Sequence, residues 1–166
     1  MKAALYPNFQ KPNAIVCARK VCDVLDSAGI EVSVSELFRN DFSDKPFVHF
    51  EDISISAHTA DFVLAIGGDG TILRCAKFLM GTDTKLLGIN TGTLGFMAGL
   101  EADQLDKLKL LAEEKYEISE RMTLDIAYHG EACDIVRSAL NEVSARSSSF
   151  SICDFEVHSY DYLVGK

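Results

Sequence analysis

The chain has 166 residues, 48% of them hydrophobic, and a net charge of −9 at pH 7. That length and apolar content suit one domain, or a domain and the start of another, with a sizeable core. The acidic balance excludes a general nucleic-acid or membrane-surface binder, and no apolar run reaches the roughly 20 residues of a membrane span.

Lys2 to Asn8 (KAALYPN) reads as a first strand. Pro12 and Asn13 then signal a helix start, and Ala14, Cys17, Ala18, Val21, Val24, Leu25 and Ala28 recur at helical spacing until Gly29 stops the run. Glu31 to Leu37 alternates with period two, as a strand does. Strand, helix, strand opens a parallel α/β sheet. Phe38 to Ala60 mixes charge, aromatics and a proline without a clean period, and is expected to be a long loop. Phe62 to Gly67 (FVLAIG) is a continuous apolar run, the pattern of a strand buried on both faces. A helix beginning near Thr71 follows, then a second buried strand, Lys85 to Asn90 (KLLGIN). After a glycine-rich stretch, Ala102 to Lys115 reads as a helix with Leu105, Leu108, Leu111 and Ala112 on one side. Beyond Tyr116 the texture changes to three strand-like segments, 117–130, 131–145 and 150–165, with a hairpin turn at His129-Gly130-Glu131. The expectation is an α/β domain over 1–116, a Rossmann-like parallel sheet with flanking helices, followed by the first strands of an all-β domain over 117–166.

The five cysteines form no CxxC pair, and Cys17, Cys22 and Cys75 fall on apolar helical positions. They are expected to be buried, reduced thiols, which suits the cytoplasm. The four histidines show no zinc spacing, so no structural metal is expected.

Gly67, Gly68, Asp69 and Gly70 stand where a buried strand meets a helix. Ligands of open α/β sheets bind at the carboxyl ends of the strands. Glycines there permit left-handed backbone and the close approach of a bulky anion. The following helix adds unpaired N–H groups and a partial positive charge, so Gly68, Gly70 and Thr71 are candidates for a phosphate cradle. A carboxylate beside phosphate needs a chemical role. Asp69 either takes a proton from an attacking hydroxyl or holds Mg²⁺, and the leading chemistry is phosphoryl transfer to an alcohol. The plainer alternative is a tight turn whose Asp caps the helix. Asn90, Gly92 and Gly95 have the spacing of a dinucleotide fingerprint with Asn in the first glycine's place, Asn being tolerant of a left-handed turn; a loop made for packing is the alternative. No Gly-x4-Gly-Lys-Ser/Thr string occurs, which disfavours a P-loop ATPase. Arg74 and Lys77, one and two turns into the helix, are either phosphate-steering cations or solvated charges.

IGGDGTILRCAK, LGINTGTLGFM and LNEVSAR, in this order and spacing, resemble the N-terminal half of the NAD kinases, from about Asp61 to the chain end and more loosely back to Met1. The resemblance implies that Asp69 deprotonates the 2′-hydroxyl of the adenosine ribose of NAD. That hydroxyl attacks the γ-phosphate of ATP, carried with Mg²⁺, to give NADP. By the same resemblance Gly68 and Gly70 lie against diphosphate, Phe96 lines the nucleotide pocket, and Asn141 and Glu142 grip the NAD ribose. Family members are typically homo-oligomers. They also continue into a β-sandwich with a Thr-Pro-Thr-Gly-Ser-Thr-Ala-Tyr-like motif, whereas this sequence stops at Asp161 to Lys166 (DYLVGK), before any such string. The natural chain is therefore expected to be longer, or the missing surface to come from elsewhere, and this length is expected to turn over slowly or not at all. Two alternatives stand beside the family. One is a lipid kinase with the same GGDG turn, although ILRCAKFL replaces the acid and Asn-Gly pair usual there. The other is a non-catalytic nucleotide-binding module.

Overall fold

The structure, a computed structural model, describes residues 1–92, 95–129, 134–140, 142–144, 154, 156–159 and 162–165. They fall into two compact units, Met1–Arg121 and Met122–Lys166.

The first unit runs β1 (Lys2–Pro7), α1 (Pro12–Ser27), β2 (Glu31–Val34), β3 (Val48–Phe50), α2 (Ile53–Thr59), β4 (Phe62–Gly67), α3 (Asp69–Leu79), β5 (Lys85–Asn90), β6 (Leu100–Glu101) and α4 (Lys109–Ala112). All six strands are parallel, in the order β3-β2-β1-β4-β5-β6. This is the doubly wound order, in which the winding reverses between β1 and β4 and leaves a crevice at their carboxyl ends.

The sequence explains why the strands pack on both sides. Phe62, Leu64 and Ile66 of β4 turn to one face, where they meet Ala14, Ala18, Val21 and Leu25 of α1 and the leucines 105, 108 and 111. Val63 and Ala65 turn to the other, against Ala57 of α2 and Ile72, Cys75 and Leu79 of α3. Every residue of β4 is buried, as a continuous apolar run requires. Helix α1 has Pro12 in its first turn and ends where Gly29 takes φ +71°, with Gly29 N–H donating to Asp26 O at 2.9 Å and Ile30 N–H to Leu25 O at 3.0 Å. These two bonds close the helix and need a residue free to adopt left-handed backbone.

Three expectations are corrected in this unit. Phe38 to Ala60 is not a loop. A 3₁₀ helix spans Glu36–Phe42, followed by β3 and α2, and Phe42 is fully buried. Arg19 of α1 holds this segment by a fork to the Asp44 carboxylate at 2.8 and 2.6 Å, and Lys45 pairs with Asp23. Helix α3 begins at Asp69, two residues before Thr71, because Gly68 already has extended backbone and acts as the N-cap. The helix expected over Ala102 to Lys115 is a 3₁₀ turn, Leu105–Leu108, joined to the short α4. Leu105, Leu108 and Leu111 are buried as expected, but Ala112 is exposed.

In the second unit, β7 (Leu124–His129) pairs antiparallel with β8 (Asp134–Ala139), and β9 (Val157–Ser159) with β10 (Tyr162–Gly165). The segment expected as one strand over 150–165 is therefore a hairpin in its second half. The expected turn residues Gly130 and Glu131, and also Cys133 and Cys153, lie outside the described residues. Among the described residues no helix is long and apolar enough to cross a membrane.

Candidate active site

The crevice between β1 and β4 carries the GGDG turn. Asn8 N–H, just past β1, donates to Ile66 O at 2.9 Å, and Thr91 N–H, just past β5, donates to Gly67 O at 2.9 Å. Three strand ends are thus tied together around the glycines. Gly67 is packed: an added Cβ would lie 2.4 Å from Thr71 Oγ1. Gly68 and Gly70 would meet nothing within 4 Å. None of the three has positive φ, so the left-handed conformation expected of them is not why they are glycine. For Gly68 and Gly70 the reason left is a bare backbone face open to a close neighbour. Gly68 also has no side chain to cap α3, so no side-chain acceptor covers the first-turn amides, as an anion site at a helix N-terminus requires.

Asp69 is the first residue of α3, and both oxygens of its carboxylate are held from across the site. Phe96 N–H donates to Oδ2 at 3.0 Å and Met97 N–H to Oδ1 at 3.2 Å. The two glycine-rich motifs, distant in sequence, therefore meet at one carboxylate.

The other candidates divide. Thr71 is only 6% exposed; its hydroxyl faces Asn8 Nδ2 at 3.4 Å and its N–H donates to Gly68 O at 2.8 Å, so it supports the turn from behind. Asn90, 2% exposed, lies in β5 and has no left-handed backbone. Its Oδ1 accepts from Gly92 N–H at 3.2 Å and its Nδ2 donates to Glu101 at 2.9 Å. The Asn-x-Gly spacing therefore builds a side-chain-braced loop, and the next element among the described residues is the strand β6, where a dinucleotide fingerprint has a helix. A Cβ on Gly92 would come within 3.7 Å of Lys11 Nζ, which places a cation beside this loop. The Phe96 ring is 88% exposed although its own N–H is engaged. Arg74 is exposed on α3. Glu142 is exposed and belongs to the second unit, while Asn141 lies outside the described residues. Sequence reasoning missed Asn8 and the Met97 amide, and singled out Gly95 as part of a fingerprint spacing, not as a neighbour of Asp69; Asn8 is signalled by a polar residue closing an apolar strand. Cys17, Cys22 and Cys75 are buried free thiols as expected, and burial pushes the Cys75 thiol, on the buried side of α3, up to about 12.

A doubly wound parallel sheet with a carboxylate at a glycine-rich helix start, set at the point where the winding reverses, defines an open α/β protein whose candidate ligand site lies at the carboxyl ends of its strands. Residues 4–116 match the family model of the ATP-NAD kinase N-terminal domain. The NAD kinase of Christiangramia forsetii is 34% identical over 152 residues, covering 87% of this chain and 52% of the relative. The NAD kinase of Corynebacterium diphtheriae is 36% identical over 158 residues, covering 90% and 50%. Yeast NADH kinase, solved in complex with NADH, superposes with a TM-score of 0.73 at 17% identity, over 84% of this chain and 46% of that one, a likeness of fold. The chain belongs to the NAD kinase family, and spans about half the length of the curated relatives it matches. These matches do not favour the lipid-kinase alternative.

Proposed function

We propose that this chain carries the phosphoryl-transfer half of an NAD kinase, which phosphorylates the adenosine ribose 2′-hydroxyl of NAD with ATP or polyphosphate as donor. The observation that carries the reading is the Asp69 carboxylate, oriented by two amides beside the bare faces of Gly68 and Gly70. Asp69 takes the proton as the 2′-oxygen forms its bond to the γ-phosphorus. The bond from that phosphorus to the β–γ bridging oxygen breaks, and ADP leaves. The amides at the start of α3 and the faces of Gly68 and Gly70 hold phosphate, with Arg74 steering it. Mg²⁺ enters as part of the ATP substrate. Bound with ATP, it would neutralise charge on the phosphates, while Asp69 is kept for the proton. By the family resemblance, Phe96 lines the nucleotide pocket, and Asn141 and Glu142 are the pair that grips the ribose. A cytoplasmic homo-oligomer using small-molecule nucleotides completes the reading; the buried free thiols support the reducing compartment.

The test is NADP formation from NAD, ATP and Mg²⁺, followed through an NADP-specific dehydrogenase. At this length the parent is expected to turn over slowly or not at all; wherever a rate is seen, Asp69→Asn is expected to lower it by about 10²–10⁴-fold. Equal rates from both would remove Asp69 from the chemistry.

A further inference from the structure

The loop that holds Asp69 is itself firmly seated. Met97 and Ala98 pack against the apolar cluster beneath α3, and Gly99 N–H donates to Gly88 O of β5 at 3.0 Å. Gly88 and Gly99 are close-packed as well: added Cβ atoms would lie 2.4 Å from Ile72 Cδ1 and 2.9 Å from Leu87 Cδ1. The loop is thus a fixed reference against which the carboxylate is set. Gly95 stands at the point of contact. A Cβ there would lie 2.8 Å from Asp69 Oδ1 and 3.6 Å from its Cγ, and Gly95 has no positive φ that would demand glycine for its own backbone.

We propose that Gly95 is a positioning residue for the GGDG carboxylate: it is glycine because Asp69 fills the space of its side chain, which lets the Phe96 and Met97 amides clamp both carboxylate oxygens. The catalytic part of this inference rests on the NAD kinase reading; the clamp does not. The clamp fixes which lone pairs face the crevice, so the carboxylate meets a bound hydroxyl already oriented. Asp69→Asn is then a double lesion, since the amide NH₂ turns a donor toward one of the two clamping N–H groups.

The Gly95→Ala variant separates the two effects because it keeps the carboxylate. A carboxylate displaced by about 1 Å is expected to cost on the order of 10²-fold in kcat for NADP formation, with KM for NAD within about twofold. Unchanged kcat would overturn the catalytic role. Amide hydrogen exchange tests the clamp without any turnover. In Asp69→Ala the Phe96 and Met97 amides are expected to exchange at least about tenfold faster, with the β4 amides unchanged. Stability supplies a second readout: Gly95→Ala is expected to destabilise the parent but to be nearly neutral in the Asp69→Ala background, where the clash is gone. Unaltered exchange with additive stabilities would overturn the clamp even if the chain forms NADP. Altered exchange in a chain that forms none would uphold the clamp and leave the activity reading to fall by itself.

Discussion

Gly67 and Gly70 flank the same carboxylate and are glycine for opposite reasons. The Cβ of an alanine at 67 would press on both Oγ1 and Cβ of Thr71, at 2.4 and 3.0 Å, and rotating the hydroxyl away would relieve only the first contact. Gly67→Ala is expected to cost about 1–3 kcal/mol. At Gly70 the same methyl group enters open space inside a helix, where replacing glycine by alanine gains up to about 1 kcal/mol. It also covers the backbone face proposed to hold phosphate. Gly70→Ala is therefore expected to raise the urea midpoint and weaken nucleotide binding, while Gly67→Ala lowers the midpoint. Urea melts beside a calorimetric NAD titration check both. A stabilised Gly70→Ala that binds as the parent does would remove that face from the ligand site.

At the scale of elements, a buried-edge network joins β1, β3 and α2. Glu51, just past β3, accepts from Lys2 Nζ at 2.8 Å and Ser56 Oγ at 2.7 Å. Burial opposes its ionisation, but the bonds from Lys2, Ser56 and Thr59 outweigh it and hold its carboxyl below the usual range. A group whose pKa is lowered on folding adds stability above its unfolded pKa and loses it as pH falls through the folded one. Glu51→Gln is thus expected to cost about 1 kcal/mol at pH 7, a difference that fades as pH drops below about 4. Denaturation of both proteins at pH 7 and pH 3 reads it; a gap that persists at pH 3 would mean that charge is not its origin. This network lies in the stretch expected to be a loop, and the reason is physical. A three-residue strand and a seven-residue helix are shorter than the windows in which period 2 and period 3.6 can be told apart. Only the caps were available as signals, Ser35 accepting from Leu37 N–H and Asp52 from Ser54 N–H. Long apolar runs such as β4 and β5 were legible because burial on both faces imposes composition directly. The GGDG acid was legible too. Its clamp was not, since nothing in the sequence states that Gly95 and Asp69 share one space.

The whole molecule divides its resources unevenly. Among the described residues, both apolar clusters are built from Met1–Arg121, whereas the two two-stranded sheets of Met122–Lys166 expose Leu124, Val136, Tyr162 and Leu163. A lone hairpin is marginal in water, and its unpaired edges are templates for another chain. The chain of 166 residues is therefore expected to associate with itself through the second unit. A chain ending at Arg121 is expected to stay monomeric, with the same urea midpoint and the helical circular dichroism of the doubly wound sheet. Sedimentation of both across a hundredfold range of concentration decides it, and a clean monomer at every concentration for the longer chain would show that its edges are covered from within. The shorter chain also isolates the chemistry. It keeps Asp69, Gly95 and the two clamping amides but lacks Asn141 and Glu142, so it is expected to hold the carboxylate as the parent does and to form no NADP. NADP from the shorter chain would mean that the ribose is gripped by the α/β unit itself, and would move the search for its partner to the crevice side of β1, where Asn8 and Lys11 stand.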